Sequence, residues 1–381
     1  MERLSRGRSA AEDQERVALG LGAPPLEAQP PCESQGMGRS AVRRWLRRGC
    51  ALVAVALIAP LGVEAALQAH LAWRRRANEA YRRLLARDEL VARAETEGVW
   101  KERWYSYLPH ASARAPALGL TLTTNSRGYR TPEFADAPAP GLLRVVALGG
   151  STTLGGWTDQ DTWPRRCQEA LDAARPGRFE VLNLGVSGAD LAATRRRVET
   201  ELMGLHPHAL VIYHGVNCIR GRRQLIWPDH PGLAKALDRF EVVDRLTRPW
   251  RSRELFLSGV SDQLRHLDAI SRWCRARGVR LFVCTFAIPR REHFDPQRWE
   301  ALSLHARRFW IGRDIETYQW SLEQWNWFLR AWAGASPPPF VLLDLEPALQ
   351  GDFFEDPCHL EARGLALQGQ LVARELLAAW E

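Results

Sequence analysis

From residue 143 onward, short, mostly apolar runs alternate with longer segments in which apolar residues recur every three or four positions. The runs Leu143 to Leu148, Phe179 to Leu184, Ala209 to Tyr213, Val279 to Phe286 and Phe340 to Leu343 predict strands. The periodic segments Thr162 to Ala174, Ala189 to Met203, Ser261 to Ala276, Gln297 to Trp332 and Glu361 to Trp380 predict helices. Strands that are apolar on both faces belong inside a sheet covered on both sides, and helix-length connections make such strands parallel. The expected fold class is therefore α/β: a three-layer, doubly wound, mostly parallel five-stranded sheet built from residues 143–381. Sheets of this kind gather function beyond the carboxyl ends of their strands, so the segments after Leu148, Leu184, Tyr213 and Leu343 should converge on one crevice.

The pattern upstream is different. Residues 1–36 mix charge, Pro, Gly and Ala without periodicity and read as a disordered leader, with Met37 as a candidate start. In residues 37–73, Arg43, Arg44, Arg47 and Arg48 precede an apolar run from Cys50 to Val63, the layout of an export signal. The run is shorter than the ~20 residues that span a bilayer. The helical pattern nevertheless continues to Trp73, and Arg74 to Arg76 can snorkel. The expectation is an uncleaved N-terminal membrane helix that holds the α/β domain outside the cytoplasm, in the periplasm or at the cell surface. Cleavage near Val63-Glu64-Ala65 and secretion is the alternative. Residues 74–142 read as an exposed amphipathic helical spacer to about Glu97 followed by a lead-in segment. Residues 219–256, with Arg220, Arg222, Arg223, Trp227 and several prolines, read as an irregular insertion and candidate substrate lid.

Composition narrows the class. With 381 residues, 46% of them hydrophobic and 25% charged, the chain can bury a substantial core, which excludes wholesale disorder. Its net charge of +8 comes mostly from arginines spread along the chain, which does not point to nucleic acid. The seven cysteines lack CxxC spacing, so no zinc ribbon is read from them. His293 and His305 lie in the same helical interval as Trp310, Tyr318, Trp320, Trp325 and Trp327, and these aromatics at helical spacing read as core rather than as a sugar platform.

Candidate chemistry sits at the strand ends. Gly149-Gly150-Ser151-Thr152-Thr153 places a glycine-flanked hydroxyl on a sharp turn. No lysine follows, as a phosphate loop requires, and the GxGxxG spacing of a dinucleotide site is missing. Gly188 in Asn183-Leu184-Gly185-Val186-Ser187-Gly188 and Asn217 in His214-Gly215-Val216-Asn217 are candidate donors to a developing oxyanion, although turns favour both residue types. In Asp356-Pro357-Cys358-His359 the spacing lets the carboxylate reach the imidazole while the other ring nitrogen faces a nucleophile. Asp-Pro also suits the start of the last helix.

In this order the blocks GGST, NLGVSG, GVN and DPCH resemble the SGNH (GDSL-like) hydrolase family over about Arg144 to Ala379. Asn125-Ser126-Arg127-Gly128-Tyr129-Arg130 is similar to a segment ahead of the first block in membrane-anchored bacterial members. The resemblance implies the flavodoxin-like SGNH fold, with Ser151 as nucleophile, Asp356 and His359 completing the triad, and Gly188 and Asn217 as oxyanion donors. It calls for no metal and no organic cofactor. The implied activity is a serine-dependent esterase on a carboxylic ester outside the cytoplasm. Acylated cell-envelope glycan, O-acetyl groups included, and lipid esters are candidate substrates. An O-acyltransferase to a polysaccharide and a catalytically inactive envelope assembly module are the alternatives. Two positions depart from the family: Gly150 stands where the familiar motif has Asp, and Cys218 where many members carry Asp after the Asn. Cys218 and Cys358 flank the two catalytic loops and are candidates for a disulfide.

Overall fold

A short antiparallel hairpin, β1 (Ser112–Ala115) with β2 (Leu120–Thr123), precedes a five-stranded sheet in a computed structural model that describes residues 39–98, 107–115, 119–219, 241–309 and 314–381. The sheet contains β3 (Leu143–Gly149), β4 (Phe179–Asn183), β5 (Ala209–Tyr213), β6 (Arg280–Cys284) and β7 (Val341–Leu343), in the order β4-β3-β5-β6-β7. Every pairing is parallel. The first sheet strand lies inside, the second is added on one side and the rest on the other, which is the flavodoxin-like order. All of β3 and β5 is buried, as expected of mostly apolar inner strands covered by helices on both faces. Arg144 is a charge inside this core at 0% exposure, and it is fully partnered. Its guanidinium donates to Glu180 and to the carbonyls of Ala135, Asp136 and Leu205.

The helices are α1 (Arg39–Ala77), α2 (Glu79–Gly98), α3 (Ser151–Leu154), α4 (Trp163–Ala174), α5 (Leu191–Thr200), α6 (Glu241–Arg277), α7 (Pro296–Phe309), α8 (Ile315–Ala333) and α9 (Ala362–Ala379). Local chemistry fixes several starts. Thr162, Asp190 and Asp314 cap α4, α5 and α8 by accepting from backbone N–H groups three residues on. The segment expected as one helix from Gln297 to Trp332 is two, α7 and α8. The stretch expected to be irregular from 219 to 256 is helical from Glu241, because α6 begins well before Ser261. The remainder of the candidate lid, residues 220–240, lies outside the described residues, as does Trp310.

The N-terminal expectations change most. The chain divides into two units, Met1–Ala59 and Pro60–Glu381. From Arg39 to Trp73 the pattern does fold as helix within α1, but among the described residues no helix is long and apolar enough to cross a membrane. The expected N-terminal membrane helix is therefore not supported: arginines precede the apolar run, and Glu64, 8% exposed, ends it while accepting a bond from Gln68.

The second revision concerns α2, which is amphipathic as expected but is no exposed spacer. Tyr81, 1% exposed, packs with Ala301 and Leu304 of α7, and Asn78 donates to the Gln297 carbonyl. An apolar stripe on a helix needs a partner, and α7 supplies it.

Candidate active site

β3 ends at Gly149, and Ser151 is the first residue of the single turn α3, with Gly150 as its N-cap. A side chain at Gly150 has no room: a Cβ there would lie 2.5 Å from Asn217 Nδ2 and 3.2 Å from the Ala189 carbonyl oxygen. This close approach joins the three loops, since Asn217 Nδ2 also donates to the Ala189 carbonyl at 2.9 Å. Gly188 has φ +75° in a turn closed by Ala189 N–H to the Val186 carbonyl, a position that requires glycine. Ser187, beside it, donates its N–H to the Tyr107 hydroxyl.

Asp356 and His359 sit on a tight loop pinned by a bridge between Phe354 and Leu360 and by Glu355 N–H to the His359 carbonyl. The alternative in which Asp356-Pro357 opens the last helix is not realised, because α9 starts at Ala362 with Glu361 as its cap. Instead Asp356 Oδ1 accepts from the backbone N–H groups of Cys358 and His359 at 2.8 and 2.9 Å. Its Oδ2 lies 2.6 Å from His359 Nδ1, and His359 Nε2 lies 2.8 Å from Ser151 Oγ. A carboxylate only accepts, so the Nδ1 proton points at Asp356 and Nε2 is left to accept the Ser151 hydroxyl proton. Tyr318 braces the loop from α8 by donating to the Pro357 carbonyl.

The electrostatics follow from burial and charge. Burial alone would raise the Asp356 carboxyl, but His359 and Arg87 overcome it and hold the group well below the usual carboxylate range. Burial likewise opposes charge on His359, and the Asp356 carboxylate overrides this, raising the ring well above an ordinary histidine. Glu355 is the opposite case: burial outweighs the pull of Arg87 and of the Trp157 indole N–H and pushes its carboxyl up to about 7.

A cavity of about 210 Å³ opens on Ser151 and His359. Leu120, Leu122, Leu154, Trp157, Leu360 and Leu365 make most of its apolar wall, while Ser187, Glu355 and Arg87 add polar atoms. Gly188 and Asn217 are not among its lining residues. A wider groove of about 540 Å³ shares Arg87, Trp157 and Glu355 with it.

Several participants escape a reading of the sequence. Arg130, 5% exposed, donates to the carbonyls of Leu154, Gly155, Gly156 and Thr121 and pairs with Asp159, strapping down the segment behind the Ser151 turn. Its only signal is membership of the Asn125 to Arg130 block. Arg87 and Glu355 carry no motif at all. Asp88, His305 and Asp356 bring ligand-type atoms within 4.8 Å of one another. However, Arg87 Nη2 occupies that neighbourhood, 3.0 Å from Asp88 and 2.6 Å from Asp356, and already supplies the positive charge a cation would bring.

The candidate bridge between Cys218 and Cys358 is absent, and both are free, buried thiols. Cys358 Sγ turns to His359 Nδ1 at 3.4 Å, whereas the Cys218 thiol faces the backbone at Leu191. Of the aromatics in α8, Tyr318 and Trp325 are core, as read, but Trp327 is 57% exposed.

Residues 147–367, more than half of the chain, match the GDSL-like lipase/acylhydrolase family. No curated protein sequence matches the chain. Solved structures that resemble it include a putative acylhydrolase from Bacteroides fragilis, at 13% identity and TM-score 0.40, covering 62% of this chain and 88% of that one. A GDSL-like lipase from Bacteroides thetaiotaomicron is 14% identical at TM-score 0.38, again with 62% and 88% covered. An acetyl xylan esterase is 17% identical at TM-score 0.36, with 62% and 99% covered. The family match coincides with the span that carries the Ser151, Gly188, Asn217, Asp356 and His359 blocks, and the chain belongs to the GDSL-like lipase/acylhydrolase family of ester-hydrolysing enzymes.

Proposed function

We propose that Ser151, His359 and Asp356 hydrolyse a carboxylic ester through an acyl-serine intermediate. The observation that carries this reading is the unbroken hydrogen-bonded chain from Ser151 Oγ to His359 Nε2 at 2.8 Å and from His359 Nδ1 to Asp356 Oδ2 at 2.6 Å. As Ser151 Oγ bonds to the ester carbonyl carbon, its proton passes to His359 Nε2, and Asp356 stabilises the imidazolium. The carbonyl oxygen becomes an oxyanion, for which the Gly188 N–H, the Asn217 amide and the Ser151 N–H are the donors. Collapse breaks the bond to the alcohol, which leaves with the proton from His359. A water then gives a proton to His359 as its oxygen bonds to the acyl carbon, and collapse breaks the bond to Ser151 Oγ, which takes the proton back from His359 as the acid is released.

The small, mostly apolar cavity beside Ser151 supports a short acyl group, such as an acetyl on an envelope glycan. The basic stretch and apolar run of residues 37–63 support work outside the cytoplasm, by way of an export signal that is either kept as an anchor or cleaved. Alkaline phosphatase fused after Glu381 should then be active in a bacterial host, and an inactive fusion would reverse this placement.

Hydrolysis of p-nitrophenyl esters of increasing chain length tests the reaction. Ser151→Ala and His359→Ala should each lose ~10³-fold or more in turnover, and the double variant should be hardly worse than either. Wild-type turnover in Ser151→Ala would end the serine mechanism.

A further inference from the structure

Asp356 is 2% exposed, and its Oδ2 carries two charged partners: His359 Nδ1 at 2.6 Å and Arg87 Nη2, also at 2.6 Å. Arg87 comes from α2, far outside the span that matches the family. Its side chain is 13% exposed. The same guanidinium reaches Glu355 at 3.1 Å and Asp88 at 3.0 Å and lies over the Trp157 ring, 5.6 Å from its centroid. Asp88 in turn meets His305 Nε2 of α7 at 2.6 Å. A buried guanidinium ringed by three carboxylates is held in one place, because desolvation of its charge is tolerable only while those partners stay.

We propose that Arg87 is a positioning residue of the triad: its planar fork fixes Asp356 Oδ2 and thereby sets both the orientation of His359 and how strongly Asp356 attracts the imidazole proton. This proposal rests on the serine-esterase reading and extends it. A carboxylate shared between an arginine and a histidine draws less on the histidine than one facing the histidine alone. The ring can then return to its neutral, proton-accepting form at a lower pH than an undivided Asp356 would permit. The groups facing Asp356 and His359 are Arg87 and Asp88 from α2, His305 from α7, Glu355 and Cys358 from their own loop, and Ser151. Among the described residues, only Arg87 combines a permanent charge with direct contact to the Asp356 carboxylate.

The test is the pH profile of kcat/KM for a water-soluble acetate ester, measured on the full chain with Arg87→Met and Arg87→Lys. In Arg87→Met the acid limb should move to higher pH, and kcat should fall about tenfold or more with KM changed much less, as expected of a lost orienting contact. Arg87→Lys keeps the charge without the fork, so its acid limb should stay near that of the parent while kcat falls several-fold. Parental kcat and an unmoved limb in a folded Arg87→Met protein would overturn the proposal. Should that variant fail to fold, a parental kcat in Arg87→Lys would overturn it equally. Activity surviving in Ser151→Ala would instead sink the serine reading, and the two failures are thus told apart.

Discussion

Glu355 shows what the interior of this site does to a carboxyl group. Its 17% exposed side chain accepts from the Trp157 indole and pairs with Arg87, yet burial dominates and its folded pKa is about 7 against an ordinary 4.5. The folded state therefore holds this proton over a pH interval in which the unfolded chain has lost it. The stabilisation is fully present below pH 4.5 and is lost as pH rises through about 7. Glu355→Gln removes this linkage, so the fall in Tm between pH 5 and pH 8 should be smaller in the variant; thermal melts at the two pH values check it. Gly188 poses a backbone question. A Cβ there meets nothing within 4 Å, but φ is +75°. Gly188→Ala should therefore cost about 1 kcal/mol through strain alone. Its larger effect should be on turnover, because the N–H at that turn is a proposed oxyanion donor, and denaturant melts beside ester assays separate the two. Ser151, Asp356 and His359 are legible in the sequence because their residue types and local spacing carry the chemistry. Arg87 is not, since arginines are plentiful in this chain and no local pattern sets it apart, and the block that contains Arg130 gives no sign of the carbonyls that its side chain holds.

Among the elements, the inner strands are the most legible. A run such as Ala209 to Tyr213 is apolar throughout, and the strand found there has the same limits. Boundaries blur where side chains outside the element decide them: α7 and α8 share one periodicity, while the N-cap Asp314 that starts α8 acts within three residues. The hairpin β1–β2 offers only four residues per strand, too few for an alternation to stand out, yet Leu120 and Leu122 line the cavity beside Ser151. The periodicity of α2 reveals a helix but not its partner, and that partner decides the functional boundary of the molecule. A chain beginning at residue 101 lacks Tyr81 and Arg87 and uncovers Ala301 and Leu304 of α7. It should lose most of its esterase activity and melt at a lower temperature, whereas a chain beginning at Pro60 retains the whole unit and should match the parent. Equal activity in the two truncations would show that α2 is dispensable.

In the whole molecule, the proposed mechanism depends on contacts that link distant parts of the sequence. Ser151 and His359 are 208 positions apart, and Arg87 and Asp356 are 269 apart. The parallel sheet makes the first meeting possible by delivering the loops after β3 and β5 to the point where strand order reverses, against the loop that precedes α9. The second meeting needs a helix from outside that sheet. Family membership fixes ester hydrolysis as the chemistry, while the walls of the cavity select the substrate. The most direct measurement of the central claim is active-site labelling of the full chain with a fluorophosphonate, followed by peptide mass analysis. The expected result is one label per chain on the peptide that contains Ser151, lost in both Ser151→Ala and His359→Ala. A label on another residue, or one that persists in Ser151→Ala, would contradict the assignment of Ser151 as the nucleophile.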